Sequence, residues 1–190
     1  RPYRPKRRTR ATVAKEKGLE PLADTLMLQM LKVPALSEAE KYVSAEKGVE
    51  SAEEALAGAG DILAERISDE ADYRTYIREA TMGKGILKSQ AKDAAEKSVY
   101  EMYYDYEEPV KKAAGHRILA LNRGEKEKFL SVRVEAPEED ILRYLRKKVI
   151  VRDNPNTSAF LEEVIEDSYE RLIAPAIERE VRNSLTEAAE

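Results

Sequence analysis

SAFLEEVIEDSYERLIAPAIEREVRNSLTEAA, residues 158–189, is the longest patterned stretch in the chain. Leu161, Ile165, Tyr169, Leu172, Ile173, Ala176, Ile177, Val181, Leu185 and Ala188 recur at steps of three and four. That spacing puts them on one face of a helix. Pro175 lies inside the pattern. It has no N–H to donate and its ring crowds the carbonyl four residues back, so a kink near Ala174, or two abutting helices, is predicted.

Outward from this stretch the chain keeps reading as helix. Pro137 opens one, with Glu138, Glu139 and Asp140 in its first turn and Arg146, Lys147 and Lys148 in its last. Both ends match the helix dipole. A helix is predicted from His116 to Lys126, and a Tyr-rich one through Tyr100, Tyr103, Tyr104 and Tyr106, closed by Pro109. Ser51 and Glu54 have capping-box spacing, as do Ser37 and Glu40. Behind Ser51, the residues Ala52, Leu56, Ala59, Leu63 and Ile67 form one apolar face, and Gly58 and Gly60 are read as places where a neighbouring helix comes close. Ser68 is read as the next helix start, with Tyr73, Tyr76, Ile77 and Ala80 as its buried stripe. Leu19 to Leu31 reads as a helix with Pro21 in its first turn. Thr12 to Lys17 reads as a short helical turn ended by Gly18.

One segment breaks this period. From Phe129 to Glu135, Leu130, Val132 and Val134 alternate with Ser131, Arg133 and Glu135, which is strand patterning. A lone strand is not stable, so a partner is required, either Ile86–Ser89 or residues 149–151. The expected fold is therefore mainly α: a bundle-like scaffold with a minor β element and a long, kinked C-terminal helix.

The opening of the chain differs from everything after it. Residues 1–17 hold eight Lys or Arg against one acid, Glu16. The whole chain carries a net charge of -4, so residues 18–190 carry about -11 by subtraction. A basic arm on an acidic body points to a polyanion or an acidic protein surface as the arm's partner. The division expected is a basic extended arm over 1–18 and a helical domain over 19–190. Arg1, Arg4, Lys6, Arg7, Arg8 and Arg10 are the candidate phosphate contacts, since Arg and Lys bind phosphate by charge and Arg also by paired hydrogen bonds. Tyr3 is placed to stack on a base. The competing reading is an arm that packs on acidic protein surface or is simply solvated. With no initiator Met at the start and a helical pattern still running at Glu190, the chain is expected to be a segment of a longer protein.

Other chemistry is poorly supported by these residues. There is no Cys and only one His, so no metal site, cofactor or catalytic set is expected. His116 is read as a helix-start or core residue. A second basic cluster, Arg143, Arg146, Lys147, Lys148 and Arg152, is read first as dipole complement and solvated face. The tyrosines at 100–106 sit among acids that would repel phosphate, so core packing is preferred for them. No apolar run approaches the roughly 20 residues of a membrane span. Absent Cys fits a reducing cytoplasm.

Four stretches taken together resemble the Tex (YhgF-like) transcription accessory proteins of bacteria. They are residues 2–12 with 18–23, residues 55–65, residues 116–125, and residues 172–183, in the order and spacing of that family. The family pattern has Ser where this chain has Gly115 and Ala176. The resemblance implies the helical region ahead of an RNase H-like domain in a cytoplasmic, multi-domain, nucleic-acid-binding protein. Helix-hairpin-helix elements and a C-terminal OB-fold are implied further on. Implied partners are RNA or DNA, those other domains, and the transcription or translation machinery.

Overall fold

The computed structural model describes residues 8–190. The described residues are 63% helical, with one small sheet among them. The chain divides into two compact units, where the sequence suggested one helical domain over 19–190. The first runs to Glu70 and resumes over Leu142–Leu172; the second is Ala71–Ile141 with Ile173–Glu190.

The first unit is built on helices. Thr9 caps α1 (Arg10–Glu16) by accepting the Thr12 N–H. The 1–18 stretch is thus helical from Arg10 to Glu16, and Gly18 ends the turn at φ +77. Next come α2 (Glu20–Leu28), with Pro21 in its first turn, and α3 (Ala35–Glu40). Pro34 takes the N-cap position of α3 in place of Ser37, so the helix starts earlier than the Ser37 box proposed; no side chain caps it. Ser51 does cap a helix, its hydroxyl accepting the Glu54 N–H, while the Glu54 carboxylate reaches one residue beyond the box and accepts the Glu50 N–H. It opens α4 (Ala52–Asp69), which packs against α1, α2 and α3.

The inward face of α4 carries Ala55, Ala59, Ile62, Leu63 and Ile67, all buried. Gly58 is the close approach expected, because a Cβ there would lie 2.4 Å from Leu19 Cδ1. Gly60 is not, since its Cβ would make ordinary contact with Val164 and Phe160. Ser68 is buried inside α4 and starts nothing; the helix runs on through Asp69.

The second unit mixes helix and sheet. It holds α5 (Ala71–Lys84), β1 (Ile86–Ala91), β2 (Asp105–Pro109), α6 (Gly115–Lys126) and β3 (Leu130–Glu135). Of the expected stripe on α5, Ile77 is buried but Tyr76 is exposed, and Thr81 takes the next inward position. The Tyr-rich helix is a correction: Glu101–Tyr103 is one short turn and Asp105–Pro109 is a strand. The tyrosine spacing there follows no helical face. Tyr100 and Tyr103 are buried, as core packing requires.

The sheet is antiparallel with order β2-β1-β3. β3 alternates buried and exposed residues along its whole length, and its partner is β1, pairing Leu87 with Val134 and Ser89 with Val132. Residues 149–151 are not a strand: Val149 ends α7 (Glu138–Val149). Gly124 of α6 gives Leu130 room, since a Cβ there would stand 2.4 Å from Leu130 Cδ1.

The stretch quoted at the outset is helical throughout but not uniform. It consists of α8 (Ser158–Asp167), a π-helical turn at Ser168–Ile173, and α9 (Ala174–Ala189). α8 packs on α4, and the Ser168 hydroxyl donates to the Ala64 carbonyl at 2.6 Å. Pro175 falls at the second residue of α9. The wide turn just before it relieves the crowding that a proline ring imposes on an α-helical ladder.

Candidate nucleic-acid interface

Of the six candidate cations, Arg1, Arg4, Lys6 and Arg7 lie outside the described residues. Arg8 and Arg10 lie within them. Arg8 reaches along α1 to Glu16 with two contacts, at 2.9 and 2.8 Å. Both side chains are more than half exposed. Such a surface pair contributes about 0–1 kcal/mol and screens readily, so Arg8 can exchange Glu16 for another anion at little cost.

Arg10 is the first residue of α1 and is exposed. Its side chain borders two open hollows, of about 330 and 400 Å³. Asp61 of α4 lines both. Burial pushes the Asp61 carboxyl above its usual range, Arg171 and Arg10 pull it back down, and Asp167 pushes it up. Arg171 stands 3.8 Å from Asp61 and 2.9 Å from Asp167. Glu53 and Glu163 line the hollow of about 330 Å³, beside Leu56 and Phe160. Arg10 therefore stands in a mixed field, among carboxylates of its own unit.

Two lysines join this end of the unit. Lys47 lies across Gly18, its Nζ 3.2 Å from where a Cβ would be, and Lys17 lies against Gly48. Gly18 and Gly48 both have positive φ, so two tight turns bring the lysines together. Sequence reasoning missed Lys47, which stands among Glu46, Glu50 and other acids along the chain.

The second basic cluster runs from Arg143 in the middle of α7 through its last turn to Arg152 in the loop after it. Lys148 sits 5.8 Å from the Tyr144 ring centre, a cation–π distance. The Arg152 N–H donates to Gln29 Oε1 at 3.2 Å. None of its five residues lines either hollow that Arg10 borders. His116 is exposed at the start of α6. Tyr100 donates its hydroxyl to Glu127 at 2.6 Å, and that bond holds its pKa above the ordinary value. Tyr103 and Tyr106 meet edge to face at 5.3 Å.

Residues 32–190 match a family model described as Tex central region-like. The chain belongs to the Tex central-region family. It is 51% identical over its full length to an uncharacterized protein, YdcI, of Bacillus subtilis, covering 27% of that protein. It is 30% identical over its full length to the transcriptional accessory protein Tex of Neisseria gonorrhoeae, covering 26% of it. It is 29% identical, over 96% of its length, to the human S1 RNA-binding domain-containing protein 1, covering 19% of it. The chain thus spans about a quarter or less of the length of these relatives.

Two of the stretches that carry the family pattern meet in the second unit. Arg182, from the stretch 172–183, donates to Glu125 at 2.7 Å and to Asn122 at 3.0 Å, both from the stretch 116–125. The stretch 55–65 is the middle of α4, where Gly58 receives Leu19.

Proposed function

We propose that this chain is the helical scaffold region of a Tex-like transcription accessory protein, and that it supports nucleic-acid binding through phosphate contacts made by its basic arm. The observation that carries this reading is the charge asymmetry: eight cations among residues 1–17 against a net of about -11 over the rest. Relatives named a transcriptional accessory protein and an S1 RNA-binding domain-containing protein support the reading. The role is binding and organisation rather than catalysis, and the compartment is the cytoplasm. The remaining domains of the longer protein, and the transcription or translation machinery, are its further partners.

Contacts of this kind are sequence-tolerant and strongly salt-dependent. The test is fluorescence anisotropy of the chain with single-stranded and duplex oligonucleotides over a salt series. Arg7→Ala with Arg8→Ala removes two phosphate contacts, so the slope of log affinity against log salt should flatten by about 1.4 on single strands or 1.8 on duplex. Replacing all six candidate cations by Gln should abolish binding, because an acidic body repels phosphate. If the fully neutralised chain binds as tightly as the native one at equal salt, the arm is not the contact.

A second reading is favoured by Arg10. It faces Asp61 near Asp167, Glu53 and Glu163, so its charge is partly spent within its own unit. On that reading the region organises other domains or docks a protein, without touching nucleic acid.

A further inference from the structure

At the end of α2 a polar side chain points inward and its apolar neighbours point out. Gln29 is 2% exposed, whereas Leu28 is 65% and Met30 62% exposed. The cause is local. Gln29 takes the left-handed conformation, φ 58, as the C-cap of α2. That turn sends its amide into the protein, where Nε2 donates to the Val149 carbonyl at 2.8 Å and Oε1 accepts the Val151 and Arg152 N–H groups at 3.0 and 3.2 Å.

The opposite loop is tied back in the same way. Asn154 donates to the Gln29 and Leu31 carbonyls, and Asn156 donates to Leu31. Val151, whose N–H Gln29 holds, is 69% exposed. Leu28, Met30 and Val151 are therefore three large apolar side chains held out to solvent by loops that are themselves fixed by hydrogen bonds. Pre-set apolar groups of this kind lose little freedom when covered.

Charged residues flank this junction along the chain. Lys32 follows Leu31, Lys148 precedes Val149 and Arg152 follows Val151, each within one residue of the pinned backbone. Arg146 and Lys147 lie just before, in the last turn of α7. Asp153 and Glu162 are the carboxylates that line the shallow hollow beside Val151 and Arg152. The cations exceed them.

We propose that Leu28, Met30 and Val151 form a docking surface for a partner protein, which it takes through an amphipathic segment bearing leucine-like side chains flanked by carboxylates. The apolar trio receives the leucine face, and Lys32, Lys148 and Arg152 receive the acids. Two other occupants fit less well. Single-stranded nucleic acid is held by aromatic platforms, and this trio contains none. A second copy of the chain in a twofold contact would set Lys32 and Arg152 against their own equivalents, like charge on like charge. This surface is independent of the arm, and none of its residues is among the six candidate phosphate contacts.

The test uses the 190-residue chain and three probes: a fluorescent helical peptide with Leu on one face and Glu on the other, the same peptide with Lys in place of Glu, and a single-stranded oligonucleotide. The acidic peptide should bind with a Kd of about 10–100 μM. Leu28→Ser with Met30→Ser should weaken it at least about tenfold. Lys32→Glu with Arg152→Glu should weaken it and favour the Lys peptide instead. All four positions are exposed, so each variant should keep the native melting curve and the native salt slope for the oligonucleotide. Three results overturn the proposal: equal binding of both peptides, oligonucleotide binding lost in Leu28→Ser/Met30→Ser, or a dimer in sedimentation that the same pair of changes dissolves.

Discussion

Each unit has backbone groups that no helix or strand ladder serves, and the two units satisfy them with different chemistry. In the first, Gln29 serves one carbonyl and two N–H groups of residues 149–152, and Asn154 and Asn156 serve Gln29 and Leu31 in return. All of these are neutral amides. In the second, the open edge of β3 faces α9. Glu178 accepts the Val134 N–H at 2.6 Å and Arg182 donates to the Val132 carbonyl at 3.2 Å. Glu178 and Arg182 are one helical turn apart, so a charged pair on a helix occupies an edge that another strand would otherwise take. Arg182 is held in turn by Glu125 and Asn122, and Asn122 donates to Thr186. Neutral amides keep their bonds at any ionic strength and across most of the pH range. Charged partners answer to both.

Breaking the amide side should have the largest effect. Gln29→Ala leaves three backbone groups without partners, two of them in a tight loop, and adds no new strain because Ala and Gln pay alike for positive φ. The expected loss is about 3 kcal/mol, from the orphaned Val149 carbonyl in its buried bond and the two part-buried N–H groups together. Amide hydrogen exchange reads it locally: the Val151 and Arg152 amides should lose protection while Val134 keeps its own. The loss should be the same in low and high salt. A strong salt dependence would contradict the neutral character assigned to this junction.

Breaking the charged side should cost somewhat less. Arg182→Met keeps the aliphatic stem but removes the donors to Glu125, Asn122 and the Val132 carbonyl. About 2 kcal/mol is expected, since Glu125 is partly exposed and can turn to water. Exchange at the Val134 amide should rise, and the difference from the native chain should shrink in high salt. If Arg182→Met leaves Val134 as protected as before, Glu178 holds the edge without help from Arg182.

The sequence made some of this contrast visible and hid the rest for identifiable reasons. Strand β3 was legible because Leu130, Val132 and Val134 alternate perfectly, and its partner β1 was one of the two candidates named. The cap at Ser51 was legible because its bond to the Glu54 N–H lies within four adjacent residues. The same spacing at Ser37 misled, because Pro34 had already fixed the start of α3. β2 was hidden because Tyr100 to Tyr106 carry aromatic mass without a clear period. The Gln29 junction could not be read at all, since its partners lie about 120 residues away and a Gln between Leu28 and Met30 looks like ordinary helix. For the candidate site, the excess of cations over residues 1–17 was plain, but the carboxylates around Arg10 and the approach of Lys47 depend on how α1, α4 and two glycine turns pack.

The smallest expected effect sharpens the contrast through two carboxylates, one in each unit, that are shifted in opposite directions. Glu135 accepts a hydrogen bond from Lys88 at 2.9 Å, and that bond, opposed by partial desolvation, holds its pKa below the ordinary value. A lowered carboxylate stabilises the fold above its unfolded pKa, and the contribution is lost as pH falls through the folded value. Asp61 is raised, chiefly by burial. A raised carboxyl favours the fold when protonated, and that contribution is lost as pH rises through the folded value. At neutral pH the two therefore have opposite signs. Glu135→Gln should cost about 0.5 kcal/mol or less, discounted because its side chain is half exposed, and should cost nothing in acid. Asp61→Asn should be neutral to slightly stabilising at neutral pH, since Arg171 keeps its closer partner Asp167, and its advantage should vanish in acid. Denaturant melts of the two variants from neutral to acid pH decide it. Curves that diverge from the native one in opposite directions at neutral pH and converge on it in acid support the contrast. If both variants lose stability together at neutral pH, Asp61 is held by its arginines rather than penalised by burial, and the first unit depends on charge as the second does.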